Sequence, residues 1–255
     1  MKIDDTHLEL RLATGEEDRR AAERLRYRVF VEELGGDGPL VDHDARRERD
    51  SFDPACEHLV LVDAGRDDHV VGVYRLLTGG NAARHGSFYS EGEFDLSVLK
   101  TSGRRLLELG RSCVHPDYRN GVALRRLWMG LADFVLDRGI EVLFGSASLH
   151  GTDVRALAPA LSLLHHRHLA PPELRVRAVE EAYQPMDLVP EARIDRVAAM
   201  RGVPPLIKSY LRLGGFVGDG AFVDHAFNTT DVCLVMDTAR MTEEALGRYS
   251  GSRGA

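Results

Sequence analysis

Cysteine is scarce in this sequence of 255 residues, and long apolar runs are missing. The three cysteines, Cys56, Cys113 and Cys233, are far apart and lack metal-ligand spacing, which predicts buried or free thiols in a reducing compartment. No apolar run approaches the length that spans a membrane. The first residues, MKIDDTHLELRLA, are too polar for a signal peptide. We therefore expect a cytoplasmic protein that at most touches a membrane surface.

The charge balance and the even composition limit the remaining classes. A formal net charge of -7 argues against nucleic acid as a general partner. No internal repeat and no linker interrupts the chain. The length is ample for a core, and strand and helix patterns are mixed along it. We expect one mixed α/β domain over residues 1–255, with its core at about 8–237 and a polar tail at 241–255.

Apolar periodicity predicts the order of the elements. Alternation over residues 7–13 predicts a first strand, and Thr14 is a candidate N-cap for a helix that reaches about Leu34. A polar loop follows at 37–56, and long loops are often functional. Two apolar runs then predict a hairpin, 57–64 and 70–78. The later candidates are strands at 140–147, 174–179, 216–227 and 231–237, and helices within 150–170 and 185–201 and after Pro204.

Residues 106–138 predict a strand, a turn and an amphipathic helix that organise the rest of the chain. The apolar run carries Glu108 and Arg111 around Gly110, and it ends at His115-Pro116-Asp117. The helix that follows is expected to stop at Gly139. Its free N–H groups near 119–121 would point beyond the end of the strand, which suits a phosphate, although a solvated arginine there is also common.

Glu108 and Arg111 are unusual inside an apolar strand. Two charges are expensive to bury unless they are paired or used, so they form a structural ion pair, lie on an edge strand, or take part in catalysis. Strict alternation places them on opposite faces of the strand. A bulge at Gly110 would allow both to face one site.

Three other polar groups have ordinary explanations beside functional ones. The loop carboxylates Asp42, Asp50 and Asp53, with Glu48 nearby, could hold a cation or a substrate amine, or form a solvated acidic loop; calcium-loop spacing is missing. Histidines 165, 166 and 168 lack the i, i+4 spacing of a zinc helix, so we expect surface or packing roles and no metal. The polar residues at 224–231 predict a turn between two strands.

Several motifs resemble known acyltransferases. VHPDYRNGVALRRLW after an apolar strand resembles the acyl-donor motif of the GNAT superfamily. ELGRSCV, RYRVFVEEL and ERDSFD resemble two groups that use acyl carrier protein, the acyl-homoserine-lactone synthases and the ornithine-lipid N-acyltransferases. Three longer segments also resemble the second group: FGSASLHGTD, LSLLHHRHLAPPELRVRA and PPLIKSYLRLGGFVGDGAFVDHAFNTTDV. The resemblance covers roughly residues 8–237.

The resemblance implies a GNAT-like α/β fold, with a twisted mixed sheet flanked by helices. It also implies transfer of a 3-hydroxyacyl group from acyl carrier protein to the α-amine of L-ornithine, with no tightly bound cofactor. GNAT enzymes that use coenzyme A usually have glycine where this chain has Val122. Glycine there lets backbone N–H groups approach phosphates closely. Its absence favours the single phosphodiester of a carrier protein, while acyl-coenzyme A stays open as a donor.

The resemblance, with the chemistry of acyl transfer, also implies roles for individual residues. Glu108 would take the amine's proton, directly or through water, and Arg111 would hold the ornithine carboxylate or fix Glu108. Backbone N–H groups at 112–114, including Ser112, would bind the oxyanion. Cys113 is expected to be a core residue rather than a nucleophile. The other expected residues are Arg26, Phe30, Asp50, Asp53 and Arg75 for the substrate, Val114, Arg119, Asn120 and Gly121 for phosphopantetheine, and Arg104, Arg105, Arg125 and Arg126 for carrier-protein docking.

Two alternatives remain at this stage. An acyl-homoserine-lactone-type synthase, or another N-acyl amino acid synthase, would share the donor and differ in the amine. A non-catalytic module that binds carrier protein or a membrane surface would keep the fold without the reaction. Peripheral contact with the inner membrane is a further expectation, because the product of the implied reaction is a lipid.

Overall fold

The computed structural model describes residues 7–39, 41–67 and 69–240, so the tail expected at 241–255 lies outside the described residues. The described chain divides into two compact units, 7–86 with 109–139, and 87–108 with 140–240. The expectation of a single domain stays a prediction. In the described part of the chain, no helix combines the length and the apolar character needed to cross a membrane.

Strands and helices alternate along most of the chain. The strands are β1 Leu8–Leu12, β2 Glu57–Asp63, β3 His69–Thr78, β4 Phe94–Asp95, β5 Leu106–Val114, β6 Val142–His150, β7 Arg177–Ala178, β8 Tyr183–Gln184, β9 Phe216–Val217, β10 Ala221–Asp224 and β11 Thr229–Asp237. The α-helices are α1 Glu16–Arg26, α2 Gly79–His85, α3 Ser97–Lys100, α4 Val122–Arg138, α5 Val154–His168, α6 Arg196–Gly202 and α7 Pro205–Arg212.

In the first unit, the sheet has the order β1-β2-β3-β5, and β2 is antiparallel to both β1 and β3. The even residues of β2, Val60 and Val62, belong to the core cluster that contains Ala22 and Leu25 of α1. The odd residues face α4, where a Cβ on Gly130 would lie 3.4 Å from Leu59 and 2.1 Å from Leu10. Both faces of β2 are therefore covered, which explains why its sequence is a continuous apolar run.

In the second unit, the strand order is β5-β6-β11-β10-β8. The parallel register joins Leu106–Glu108 of β5 to Val142–Phe144 of β6. β11 pairs antiparallel with β6 along its whole length, from Thr229 opposite His150 to Asp237 opposite Val142. This sheet carries one of the proposed catalytic residues, Glu108, at its first strand.

The structure confirms most of the predicted elements, including the hairpin β2–β3 and the parallel pair β5–β6. The turn predicted at 224–231 is also confirmed: Asp224 accepts hydrogen bonds from the N–H groups of Ala226 and Phe227, and Asn228 is left-handed with a φ of 51°. The helix predicted to reach Leu34 is α-helical only to Arg26 and continues as a π-helical segment, Tyr27–Glu33.

Three predictions of local structure were wrong. The N-cap of α1 is Gly15 and not Thr14, which instead bonds to Asp18. The strand predicted at 174–179 is reduced to β7 by 3-10 turns on both sides. The strand predicted at 216–227 is divided into β9 and β10 by a close approach at Gly220, where φ is +77° and a Cβ would lie 2.3 Å from the Tyr183 ring.

Candidate active site

Six charged side chains of the first unit form a closed ring of alternating sign, which we call the charge ring. They come from α1, from the loop before β2, from β3 and from β5. Following the ion pairs around the ring, its members are Arg26, Glu48, Arg111, Asp50, Arg75 and Asp53.

Close contacts join each member of the charge ring to the next. Arg26 donates to Glu48 at 2.5 Å through Nε, and to Asp53 at 2.5 and 3.0 Å through Nη1 and Nη2. Arg111 contacts Glu48 at 3.1 Å and Asp50 at 3.0 Å. Arg75 closes the ring with Asp50 at 2.6 Å and Asp53 at 3.4 Å. Three guanidinium groups therefore balance three carboxylates.

Burial and charge act in opposite directions on these groups. Burial alone raises the pKa of Asp53, but the hydrogen bonds and charge of Arg26 outweigh it and hold that pKa below its usual value. Burial likewise raises the pKa of Glu48 and of Asp50, and the nearby arginines hold both pKa values low. Arg26 itself is fully buried. The ring is thus charged throughout near neutral pH.

The structure brings together four residues that the sequence assigned to the substrate: Arg26, Asp50, Asp53 and Arg75. The fifth, Phe30, packs against the α1 core cluster. Glu48, which the sequence analysis noted near the loop carboxylates but did not assign to the substrate, also belongs to the ring. Asp42 lies outside it and pairs with Arg47. Because arginines already balance Asp50 and Asp53, their contact with an ornithine ammonium stays a prediction.

The backbone of β5 is irregular at Arg111, which has a φ of +49°. A bulge was expected at Gly110, where a Cβ would meet only Arg75, at 3.6 Å. The irregularity therefore exists one residue later than expected. A left-handed non-glycine residue costs about 1–3 kcal/mol and persists only where its surroundings enforce it. The contacts of Arg111 with Glu48 and Asp50 supply that enforcement.

Glu108 lies in the second unit and is 3% exposed. Its Oε2 accepts the N–H of Tyr89 at 2.8 Å, and its Oε1 accepts the N–H of Ser90 at 2.7 Å. Both donors belong to the 3-10 turn Tyr89–Gly92. Hydrogen bonds from N–H groups to a carboxylate are of the strong, charge-assisted kind. They fix the orientation of the carboxylate that the sequence proposes as the base.

Register places further polar groups on the same sheet face as Glu108. Its partner on β6 is Phe144, so Ser146 faces the same side, as does Cys233, the β11 partner of Ser146. Ser146 donates to Glu93 at 2.6 Å. Burial, and then the charges of Glu108 and Glu93, raise the pKa of the Cys233 thiol. Both carboxylates therefore lie close to the buried Cys233.

An acidic cluster lies on the same unit. Glu93, Asp224 and Asp231 each offer a carboxylate oxygen, and these three oxygens lie within 4.8 Å of one another. Within the described chain, the α5 histidines are not part of such a group. His166 instead contacts Asp187 and the carbonyl of Val189, each at 3.1 Å. Surface and packing contacts of this kind were expected for these histidines.

The predicted donor end lies at the start of α4. Gly121 is the N-cap, with a φ of +89°, and Asn120 Oδ1 accepts the N–H of Val122 at 3.0 Å. Arg119 donates through Nε to the carbonyl of Val114 at 3.0 Å, and its two terminal nitrogens bind Glu33. The four predicted residues are thus together, and Arg119 is held in place. Their contact with phosphopantetheine stays a prediction.

The remaining predicted residues have separate positions. Cys113 is buried in the α1 core cluster, and burial raises the pKa of its thiol to about 12, which agrees with a core role. Ser112 is half-buried. Arg104 and Arg105 precede β5, where Arg104 pairs with Asp237 at 2.5 Å. Arg125 is exposed and Arg126 half-buried in the first turns of α4. Their docking role stays a prediction.

Comparison with known proteins gives the family. An acetyltransferase (GNAT) domain model matches residues 25–129. The L-ornithine N(alpha)-acyltransferase of Rhodobacter capsulatus is 59% identical over 240 residues, 92% of each chain. The chain belongs to this acyltransferase family. A second member, from Brucella abortus, is 41% identical over 95% of this chain and 88% of its own.

Solved structures agree with this family on the fold. An N-acyl amino acid synthase from uncultured soil microbes, FeeM, aligns with a TM-score of 0.53 at 13% identity, over 93% of this chain and 96% of its own. The acyl-homoserine-lactone synthase LasI aligns with a TM-score of 0.52 at 14% identity, over 96% and 95%. The predicted GNAT-like fold is thereby confirmed. The chain is an N-acyltransferase with a twisted mixed sheet flanked by helices.

Proposed function

We propose that this enzyme transfers a 3-hydroxyacyl group from acyl carrier protein to the α-amine of L-ornithine, which gives lyso-ornithine lipid. The observation that carries the proposal is the 59% identity, over 92% of both chains, to an enzyme named for ornithine acylation. Nothing in the proposed reaction requires a tightly bound cofactor or a metal, because a thioester is already an activated acyl donor.

The donor assignment rests on the start of α4. Val122 stands where coenzyme A enzymes of this superfamily usually have glycine. Its N–H already donates a hydrogen bond to Asn120 Oδ1. The start of α4 then has fewer free backbone N–H donors for a pyrophosphate. A single phosphodiester needs fewer such donors than a pyrophosphate does. This supports a carrier-protein donor, and acyl-coenzyme A is the alternative to be tested.

Glu108 is our candidate for the general base. An α-ammonium must lose a proton before its nitrogen can attack the thioester carbonyl. Backbone N–H groups orient both oxygens of this buried carboxylate, which holds in one place the group that would receive the proton. We propose that the N–H groups of 112–114 stabilise the oxyanion. Of the two roles open to Arg111, its place in the charge ring supports a positioning role, because both its contacts are with loop carboxylates.

The carrier protein is expected to be acidic, so we propose that it docks on Arg125 and Arg126 at the start of α4. Arg104 already forms an ion pair with Asp237, so its charge is partly balanced within the protein. The lipid product would leave towards the inner membrane, and we propose that the enzyme contacts that membrane peripherally. Flotation with anionic vesicles, with and without the lyso-lipid product, would test this contact.

The first experiment mixes the purified protein with 3-hydroxyacyl carrier protein and a panel of amines. Thiol release and the N-acyl product are followed by mass spectrometry. We expect product with L-ornithine. Product with S-adenosylmethionine alone would make the chain a lactone-type synthase, and product only with acyl-coenzyme A would overturn the donor assignment. Binding of carrier protein without any transfer would leave a non-catalytic module.

A further inference from the structure

Ser90 is a buried residue of the second unit, with an exposed fraction of 1%. Its N–H donates to Glu108 Oε1 at 2.7 Å, and its carbonyl accepts the N–H of Glu93 at 3.1 Å. Its hydroxyl oxygen, Oγ, has no hydrogen-bond partner among the residues that the structure describes. The backbone of Ser90 is thus fully engaged, while its side chain is not.

A buried hydroxyl without a partner costs free energy, so such groups nearly always bond to protein or to an internal water. An internal water typically makes about three hydrogen bonds. Oγ is separated by three covalent bonds from the nitrogen that binds Glu108, which keeps it within about 6–7 Å of Glu108 Oε1. A single water with two hydrogen bonds of about 2.8 Å can bridge oxygens up to about 5.6 Å apart, a separation that lies inside this upper limit. A carboxylate offers about four acceptor positions in all, so Glu108 can accept a hydrogen bond from a water as well as from backbone N–H groups.

We propose that Ser90 Oγ holds a buried water that bridges it to the carboxylate of Glu108, and that the acceptor's proton reaches Glu108 through this water. Ser90 is then a positioning residue, because it acts through the water and not on the substrate. The inference rests on the proposed acyl transfer to an amine, and it decides between direct and water-mediated action of Glu108.

The proton transfer is balanced. The ammonium of the acceptor gives one proton to the water oxygen while the water gives one of its own protons to Glu108. The products of this step are a neutral amine, a protonated Glu108 and a regenerated water. The amine then attacks the thioester, its second proton passes to the departing sulfur, and Glu108 later releases its proton to solvent. Two further titratable groups of the second unit, Glu93 and Cys233, lie near Glu108.

The test compares Ser90→Ala and Ser90→Thr with a matched control, Ser162→Ala. Ser162 is also a fully buried serine of the second unit, but its hydroxyl binds the carbonyl of Met186 and the N–H groups of Leu188 and Val189. For each purified protein we would measure kcat and KM for ornithine, the stability to urea, and the dependence of kcat on the fraction of D₂O. A crystal structure of the wild type would show whether a water lies between Ser90 and Glu108.

We expect Ser90→Ala to lower kcat about 10- to 100-fold, less than the roughly 10²- to 10⁴-fold that a general base itself contributes, with KM for ornithine nearly unchanged. Its D₂O dependence should change from curved, for two protons in motion, to linear. Ser90→Thr should retain most of the activity, and Ser162→Ala should lose stability without loss of kcat. Wild-type kcat and D₂O curvature in Ser90→Ala would overturn the inference. Failure of the wild type to acylate any amine would instead overturn the proposed function.

Discussion

Arg26 and Asp53 form a buried bidentate ion pair, in which Nη1 donates to Oδ1 at 2.5 Å and Nη2 donates to Oδ2 at 3.0 Å. The pair joins the end of α1 to the loop before β2. The same guanidinium also binds Glu48, so one side chain anchors two points of that loop. Several expectations about stability and activity follow from this arrangement.

Removal of Arg26 should be strongly destabilising. Arg26→Gln would leave Glu48 and Asp53 without their main counter-charge in a buried setting, and breaking buried pairs in this way costs about 3–5 kcal/mol. Urea unfolding would measure the loss. Arg20→Gln is the matched control, because Arg20 lies on the same helix and pairs with an exposed Glu16. A similar loss in both variants would contradict the role of the charge ring.

The stability of the first unit should depend on acidic pH. The pKa values of Glu48, Asp50 and Asp53 are held below their usual values in the folded protein. As the pH falls through about 4, the unfolded chain therefore binds protons first, and folded-state stability is lost. Chemical unfolding between pH 7 and pH 3 would follow this loss. The steepness should decrease in Arg26→Gln, in which the folded and unfolded carboxylates become more alike.

Glu108→Gln should lower kcat by at least about 100-fold, because the amide cannot accept the acceptor's proton. One of its two N–H contacts, from Tyr89 or Ser90, would also lose its acceptor oxygen. Circular dichroism and urea unfolding would separate the two effects. Glu173→Gln, at an exposed ion pair with Arg240, is the control for a charge change in the same unit. Near-normal turnover in Glu108→Gln would remove it as the base.

Cys113→Ala should retain turnover within about twofold of the wild type. The Cys113 thiol is buried and its pKa is raised to about 12, so almost no thiolate exists at neutral pH to act as a nucleophile. The cost should be limited to a modest loss of stability from the cavity in the α1 core cluster. Steady-state kinetics and unfolding on one preparation would check both. Loss of turnover with intact stability would point to a covalent mechanism.

Charge reversal at Arg125 should affect a carrier-protein donor only. Arg125→Glu is expected to raise KM for 3-hydroxyacyl carrier protein several-fold and to reduce the salt dependence of the rate. With a small acyl-pantetheine donor, kinetics should be unchanged. Arg196→Glu, on a solvent-exposed residue of α6, serves as a control for net charge. Equal effects of the two variants would argue against docking at α4.

Local patterns were sufficient to predict several elements of each unit. Strict apolar runs predicted β2, β3 and β6, and the sequence 114–128 predicted the turn and helix after β5. Glu108 and Arg111 were noticed because charges are rare inside such a run. The charge ring as a whole was not predicted. Its contacts join residues 22 to 63 positions apart, and no local pattern reveals which charges will meet.

Two details depended on the folded backbone. The alternation of side chains indicated that β5 needs an irregularity for Glu108 and Arg111 to face one site. The expected position was Gly110, because glycine adopts such backbone conformations most easily, but the left-handed residue is Arg111. The turn Tyr89–Gly92 that binds Glu108 lies in a mixed segment with no strong period, so Ser90 gave no signal. In both cases, hydrogen bonds and ion pairs between distant segments outweighed the preferences of the local sequence.

The backbone at Arg111 limits how this position can evolve. Its φ of +49° suits glycine, while its contacts with Glu48 and Asp50 need a forked cation. No natural amino acid supplies both. Glycine at position 111 would remove the backbone strain but leave two carboxylates without a counter-charge. Lysine would keep the positive charge but lacks the planar guanidinium group that contacts both carboxylates. A lineage that loses this arginine must therefore change the loop acids in the same period, so positions 48, 50 and 111 should vary together or not at all.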